Sequence, residues 1–137
     1  MTEHESSQLE MKVVNALQQL LAKYESLDEL TRSMLAKQEK GHSIEIEIDR
    51  MHRQRQQLMR LEQEAQPINE AYRNSREHAS ETVSELTRQT TTLIKNVITR
   101  IAKLEAAARA SYQQLIPEID RNVRGNQMKQ AYGDASS

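Results

Sequence analysis

Only five residues of this 137-residue chain break a helix outright: Gly41, Pro67, Pro117, Gly125 and Gly133. Glycine supplies positive φ, and proline removes a donor and clashes with the preceding turn. Residues 68–116 contain neither. Helices of ordinary globular domains average about 11–12 residues. A breaker-free run of this length predicts an extended helix, and an extended helix needs something to cover it.

Composition says what kind of cover. The chain has no Trp, no Phe and no Cys, and its aromatics are four tyrosines. Leu, Ile, Val and Met must therefore build the core, arranged as stripes on helices. Without cysteine there is no disulfide and no thiolate chemistry, which fits a reducing compartment. A net charge of −1 creates no field favouring nucleic acid or an anionic membrane. The acidic start Met1-Thr2-Glu3-His4-Glu5 lacks a following apolar run and does not read as a secretory signal. No stretch approaches the roughly 18 apolar residues of a membrane span.

The periodicity predicts three helices. Ser7-Gln8-Leu9-Glu10 has the form of a capping box, so helix 1 is expected over 7–40. Val13, Leu17, Leu20, Tyr24, Leu27, Thr31 and Met34 make a heptad seam along it, and Gly41 ends it. Ser43 is placed to cap helix 2, over 44–65. Ile44-Glu45-Ile46-Glu47-Ile48 alternates like a strand, but a lone strand has nothing to pair with, so helix is preferred. Arg55 interrupts the apolar seam of this helix. The short connection makes helices 1 and 2 an antiparallel hairpin. Pro67 either kinks one continuous helix or opens a third; reversal buries more surface and is the reading adopted. Helix 3 then covers 67–116, with Pro117 as its stop. The fold expected is all-α: an antiparallel helical hairpin plus one long third helix, an extended coiled-coil-like bundle. Domain 1–116 carries the bundle, and 117–137 forms a mobile tail.

These lengths mismatch. Helix 1 spans about 51 Å and helix 3 about 75 Å at roughly 1.5 Å per residue. If both begin level, the overhang falls over residues 100–116. The expected partner-contacting stripe is Leu93, Val97, Ile101, Leu104, Ala108 and Leu115, flanked by Ile94 and Ile98. Its cover is either a client protein, a second copy in a homo-oligomer, or the chain's own tail. In that tail, Ile119, Val123 and Met128 suit one short amphipathic turn, and Tyr132 beside Gly133 suits an exposed anchor.

Other constellations carry little. Glu39 and His42 have E-x-x-H spacing, but Gly41 ends the helix inside the motif, and di-iron bundles need more carboxylates. No metal or cofactor is expected. Arg50, Arg53, Arg55 and Arg60 make helix 2 locally basic, with no aromatic interleaved for stacking; ion pairs to acidic helix 1 are expected instead. No nucleophile motif or phosphate loop is present, so no enzymatic activity is expected. Thr90-Thr91-Thr92 places three hydroxyls where they can bond back to helix carbonyls.

Taken together, the chain resembles the FlgN-type flagellar type III export chaperones. The resemblance rests on the succession of three helices and a tail. It rests also on Arg55-Gln56-Gln57-Leu58-Met59-Arg60-Leu61, similar to a basic and Leu-rich element of that family's second helix, and on Tyr132-Gly133-Asp134, similar to its tail. Here the tail departs from the family pattern after the glycine. The resemblance implies a cytoplasmic, non-enzymatic chaperone that binds amphipathic C-terminal helices of hook–filament junction proteins. It also implies delivery to the cytoplasmic domain of the export gate, with Tyr132 and the tail as the contact. A coiled-coil scaffold or adaptor without an export role is the alternative.

Overall fold

The computed structural model describes residues 2–76 and 78–110 with their side chains, and 111–135 as helical backbone alone. The described residues are all-α and form three helices: α1 (Glu3–Glu39), α2 (Glu45–Ser75) and α3 (Glu81–Ala135). Two compact units divide the chain, Met1–Ile101 and Ala102–Ser137. The first holds α1, α2 and the opening of α3. The second, taken by itself, is the helical continuation of α3.

Helix α1 begins earlier than expected. The capping box that forms is Thr2 with Glu5, each side chain reaching the other's backbone N–H. Ser7-x-x-Glu10 has the same form, but Glu10 is committed elsewhere. At the other end, Gly41 behaves as predicted. Its φ of 74° is in the left-handed region, where a Cβ is strained although the surrounding space is open. The Gly41 N–H donates to the Gln38 carbonyl at 3.0 Å, and the His42 N–H to the Lys37 carbonyl at 2.8 Å. Those two bonds are a Schellman closure, which satisfies carbonyls the helix end leaves open. Ser43 Oγ accepts a long 3.5 Å bond from the Glu45 N–H. The alternating Ile44–Ile48 stretch starts α2 and forms no strand, leaving Ile46 exposed.

The expected reversal at Pro67 does not occur. Pro67 lies inside α2, which runs ten residues further than its predicted end. Its ring is exposed, so water can reach the carbonyl that loses its donor. The chain turns instead over 76–80, where there is neither Gly nor Pro. Arg76 adopts an extended backbone at the end of α2. Ser80 opens α3: its carbonyl accepts from the Ser84 N–H at 2.9 Å and its hydroxyl from the Val83 N–H at 3.2 Å. A serine cap achieves here what proline was expected to do. The helical backbone also continues through Pro117, where helix 3 was predicted to stop.

Antiparallel packing of α1 and α2 follows from three ties. Lys37 pairs with Glu47 near the turn, Tyr24 with Glu62 midway, and Glu10 with Arg76 at the far end. α3 runs parallel to α1, since Glu10 meets Ser80 and Asp28 meets Arg100. The heptad seam of α1 is buried at every position except half-buried Tyr24. Met51, Leu58, Ala65 and Tyr72 answer it from α2, and Val83, Thr90 and Val97 from α3. Each set repeats every seven residues, the spacing that keeps one stripe against a neighbouring helix. Thr90, Thr91 and Thr92 bond back to the carbonyls of Leu86, Thr87 and Arg88 at 2.7–3.0 Å, so buried Thr90 leaves no hydroxyl unsatisfied.

Candidate functional site

Between α2 and α3 lies an open groove to whose floor all three helices contribute. Its floor is Leu27, Leu58 and Val97, with relative exposures of 2%, 4% and 3%. Half-buried Ile94 and Ile101 form the α3 wall. Across the top, Met59 of α2 and Ile98 of α3 are 59% and 61% exposed. Isolated exposed apolar residues are ordinary, but these two border one apolar floor. His52, Arg55, Gln56 and Glu62 set the polar edge along α2.

The seven-residue repeat explains this geometry. Leu58 and Val97 sit on the buried stripes, so Met59 and Ile98, one residue on, are turned about 100° away from the core. Met59 and Ile98 are then left on the shoulders of adjacent helices. Tyr24 anchors the α1 side, its hydroxyl donating to Glu62 at 2.5 Å. Burial, reinforced by the Glu62 hydrogen bond and charge, pushes the Tyr24 hydroxyl above its ordinary range, so it stays protonated and remains a donor. On α1, buried Asp28 ties α3 down: Arg100 donates to its carboxylate and, at 3.3 Å, to its carbonyl. Arg32 adds an ion pair at 3.2 Å.

The predicted stripe is divided by this structure. Ile94, Ile98 and Ile101 line the groove, the first and last half-buried. Val97 is its floor and Leu104 is buried, so neither offers the open surface expected of it. Leu93 is half-buried, and Ala108 is exposed. The predicted overhang from Arg100 is also displaced. Arg100 stands opposite Asp28, and α1 continues past that point to Glu39. The offset arises because α3 starts at Glu81, not at 67, and so begins level with Glu10. Leu115, Ile119, Val123, Met128 and Tyr132 have side chains outside the described residues, as does the rest of the expected tail.

Sequence reasoning missed the other half of the groove. Tyr24 and Leu27 read from the sequence as seam, Leu58 and Met59 as part of the basic, Leu-rich element of the second helix, and Arg55 as an interruption. The interruption was the available signal: a charge on an apolar stripe marks where that stripe meets solvent. The expected pairing of the helix-2 arginines with α1 is also absent. Among the described residues, Arg50, Arg53, Arg55 and Arg60 enter none of the ion pairs, which fall to Lys37, Arg32, Arg76, Arg88 and Arg100.

A second polar cluster closes the α2–α3 turn. Tyr72 Oη accepts the Ser80 N–H at 3.0 Å and an Arg76 Nη1–H at 3.3 Å, while the guanidinium carbon stands 5.6 Å from the Tyr72 ring centroid. Glu10 receives Arg76 at 3.0 Å and the Ser80 hydroxyl. Partial burial alone would raise the Glu10 carboxyl. The hydrogen bonds from Ser80 and Tyr72, with the Arg76 charge, outweigh it and hold the group below its ordinary value. All four side chains serve the turn, so this cluster is architectural. No helix among the described residues is long and apolar enough to cross a membrane. Compared with known proteins, the chain matches no family model, no curated sequence and no solved structure.

Proposed function

We infer that this protein is a cytoplasmic chaperone of the flagellar export type, without enzymatic activity, that holds an amphipathic helix of a client in the α2–α3 groove. The observation that carries the reading is the placement of Met59 and Ile98 on opposite shoulders of an apolar floor. A helix laid between them buries its own apolar stripe and theirs together. Fully burying one such side chain contributes about 1.5–3 kcal/mol. The resemblance of the chain to FlgN-type chaperones supplies the client class: C-terminal helices of hook–filament junction proteins. On this reading the tail, through Tyr132, contacts the cytoplasmic domain of the export gate when the client is delivered.

Titration calorimetry of the full chain with a junction protein's C-terminal helix tests the reading. Ile98→Asp and Met59→Asp should each weaken binding at least about tenfold, because a charge in a desolvated contact is costly. Both residues are exposed, so thermal melting of the free chain should barely move. Binding should persist at raised salt, since the contact is apolar. Tyr132→Ala should leave client affinity intact and weaken binding to the gate's cytoplasmic domain. If no junction-protein helix binds, the export reading fails and a scaffold or adaptor role takes its place.

A further inference from the structure

We propose that the groove face is also self-complementary, and that two copies of this chain close on one another through it as an antiparallel, twofold-symmetric dimer. Charge and apolar residues are spaced symmetrically along this face, whatever the export role of the chain. On α2, Arg55 and Glu62 lie on the groove edge on either side of Met59. The point midway between them falls between residues 58 and 59. On α3, Ile94 and Ile101 flank Ile98, and their midpoint falls between residues 97 and 98.

These two midpoints are level. Glu62 bonds Tyr24 and Gln57 bonds Lys23, which sets the centre of the α2 edge beside the middle of α1. Arg100 bonds Asp28, which sets the α3 wall beside the same stretch. Tyr24 and Leu27, the α1 residues of the groove, lie there. One twofold axis, perpendicular to the helices, therefore passes through both centres. Rotation about it brings α2 against α2 and α3 against α3. Ile98 meets Ile98 of the second copy, Ile94 meets Ile101, and Arg55 meets Glu62, each pairing made twice as an isologous contact requires.

The charges are free for this use. Arg55 has no ion-pair partner among the described residues. Glu62 spends one oxygen, Oε1, on Tyr24. A parallel twofold arrangement would set Arg55 against the isoleucines of α3 and leave Glu62 without a cation, so charge selects the antiparallel one.

Sedimentation equilibrium of the full chain over a range of protein concentrations tests the proposal. The native chain should show a reversible monomer–dimer equilibrium. Ile98→Asp, which sets two carboxylates together on the axis, should leave only monomer with the melting curve of native monomer. Arg55→Glu should weaken the dimer at least about tenfold, because each altered residue then faces a glutamate. Glu62→Arg should do likewise, and the double variant should recover most of the loss. A native chain that is monomeric throughout overturns the proposal and leaves the groove to a foreign helix. A dimer indifferent to both charge reversals, or one that the double variant does not restore, overturns it equally.

Discussion

Glu10 belongs to α1, yet its partners Arg76 and Ser80 both belong to the turn joining α2 to α3. One carboxylate thereby fixes where the third helix begins. Its carboxyl is held below its ordinary value, so its contribution is fully present above that value and is lost as pH falls through the lower folded one. Glu10→Gln should cost about 1–2 kcal/mol at neutral pH, as removal of one charge-assisted bond does. The gap between variant and native chain should close on acidification, read by urea titrations at several pH values. Gly41 acts by conformation alone. A Cβ there meets nothing within 4 Å, but the φ of 74° strains any L side chain. Gly41→Ala should cost about 1–2 kcal/mol in the same titrations, and Gly41→Asn less.

At the scale of elements, proline and serine exchange the roles expected of them. Pro67 stands in the interior of α2 with its ring exposed, and Ser80 performs the capping that starts α3. A proline in a helix interior costs about 3 kcal/mol. Pro67→Ala should therefore stabilise the protein by at least about 1 kcal/mol in chemical denaturation, since no buried packing is removed with the ring. A turn at this position would give the opposite sign. The reversal at 76–80 needs neither Gly nor Pro because its determinants are not local. Tyr72 holds the Ser80 backbone, and Glu10 reaches across from a helix 70 residues away in sequence.

Across the whole molecule, neighbouring residues divide between holding the bundle together and facing outward. Leu58 is buried and Met59 exposed; Val97 is buried and Ile98 exposed. Leu58→Ala should cost about 2–5 kcal/mol, the range for truncating a buried leucine. Circular dichroism melts of Leu58→Ala and Met59→Asp separate the two roles: the first should melt markedly earlier, the second close to native.

The sequence by itself determined the helical class, the heptad seam of α1 and the turn at Gly41. Those depend on local chemistry: side-chain period, breaker-free length and one residue's access to positive φ. Val13, Leu17, Leu20, Leu27, Thr31 and Met34 were legible as core because a seam on one helix needs only its own spacing. Tertiary structure decided where α2 ends, and with that the register of α3. Starting α3 at Glu81 brings Arg100 level with Asp28, sinks Val97 into the floor and leaves Ile98 on the shoulder. Val97 and Ile98 are both β-branched apolar residues, about 100° apart around α3, and composition alone does not say which of them meets a neighbouring helix. Only the partner helices choose which of the two faces inward, because burial is a property of the register between helices and not of either helix alone.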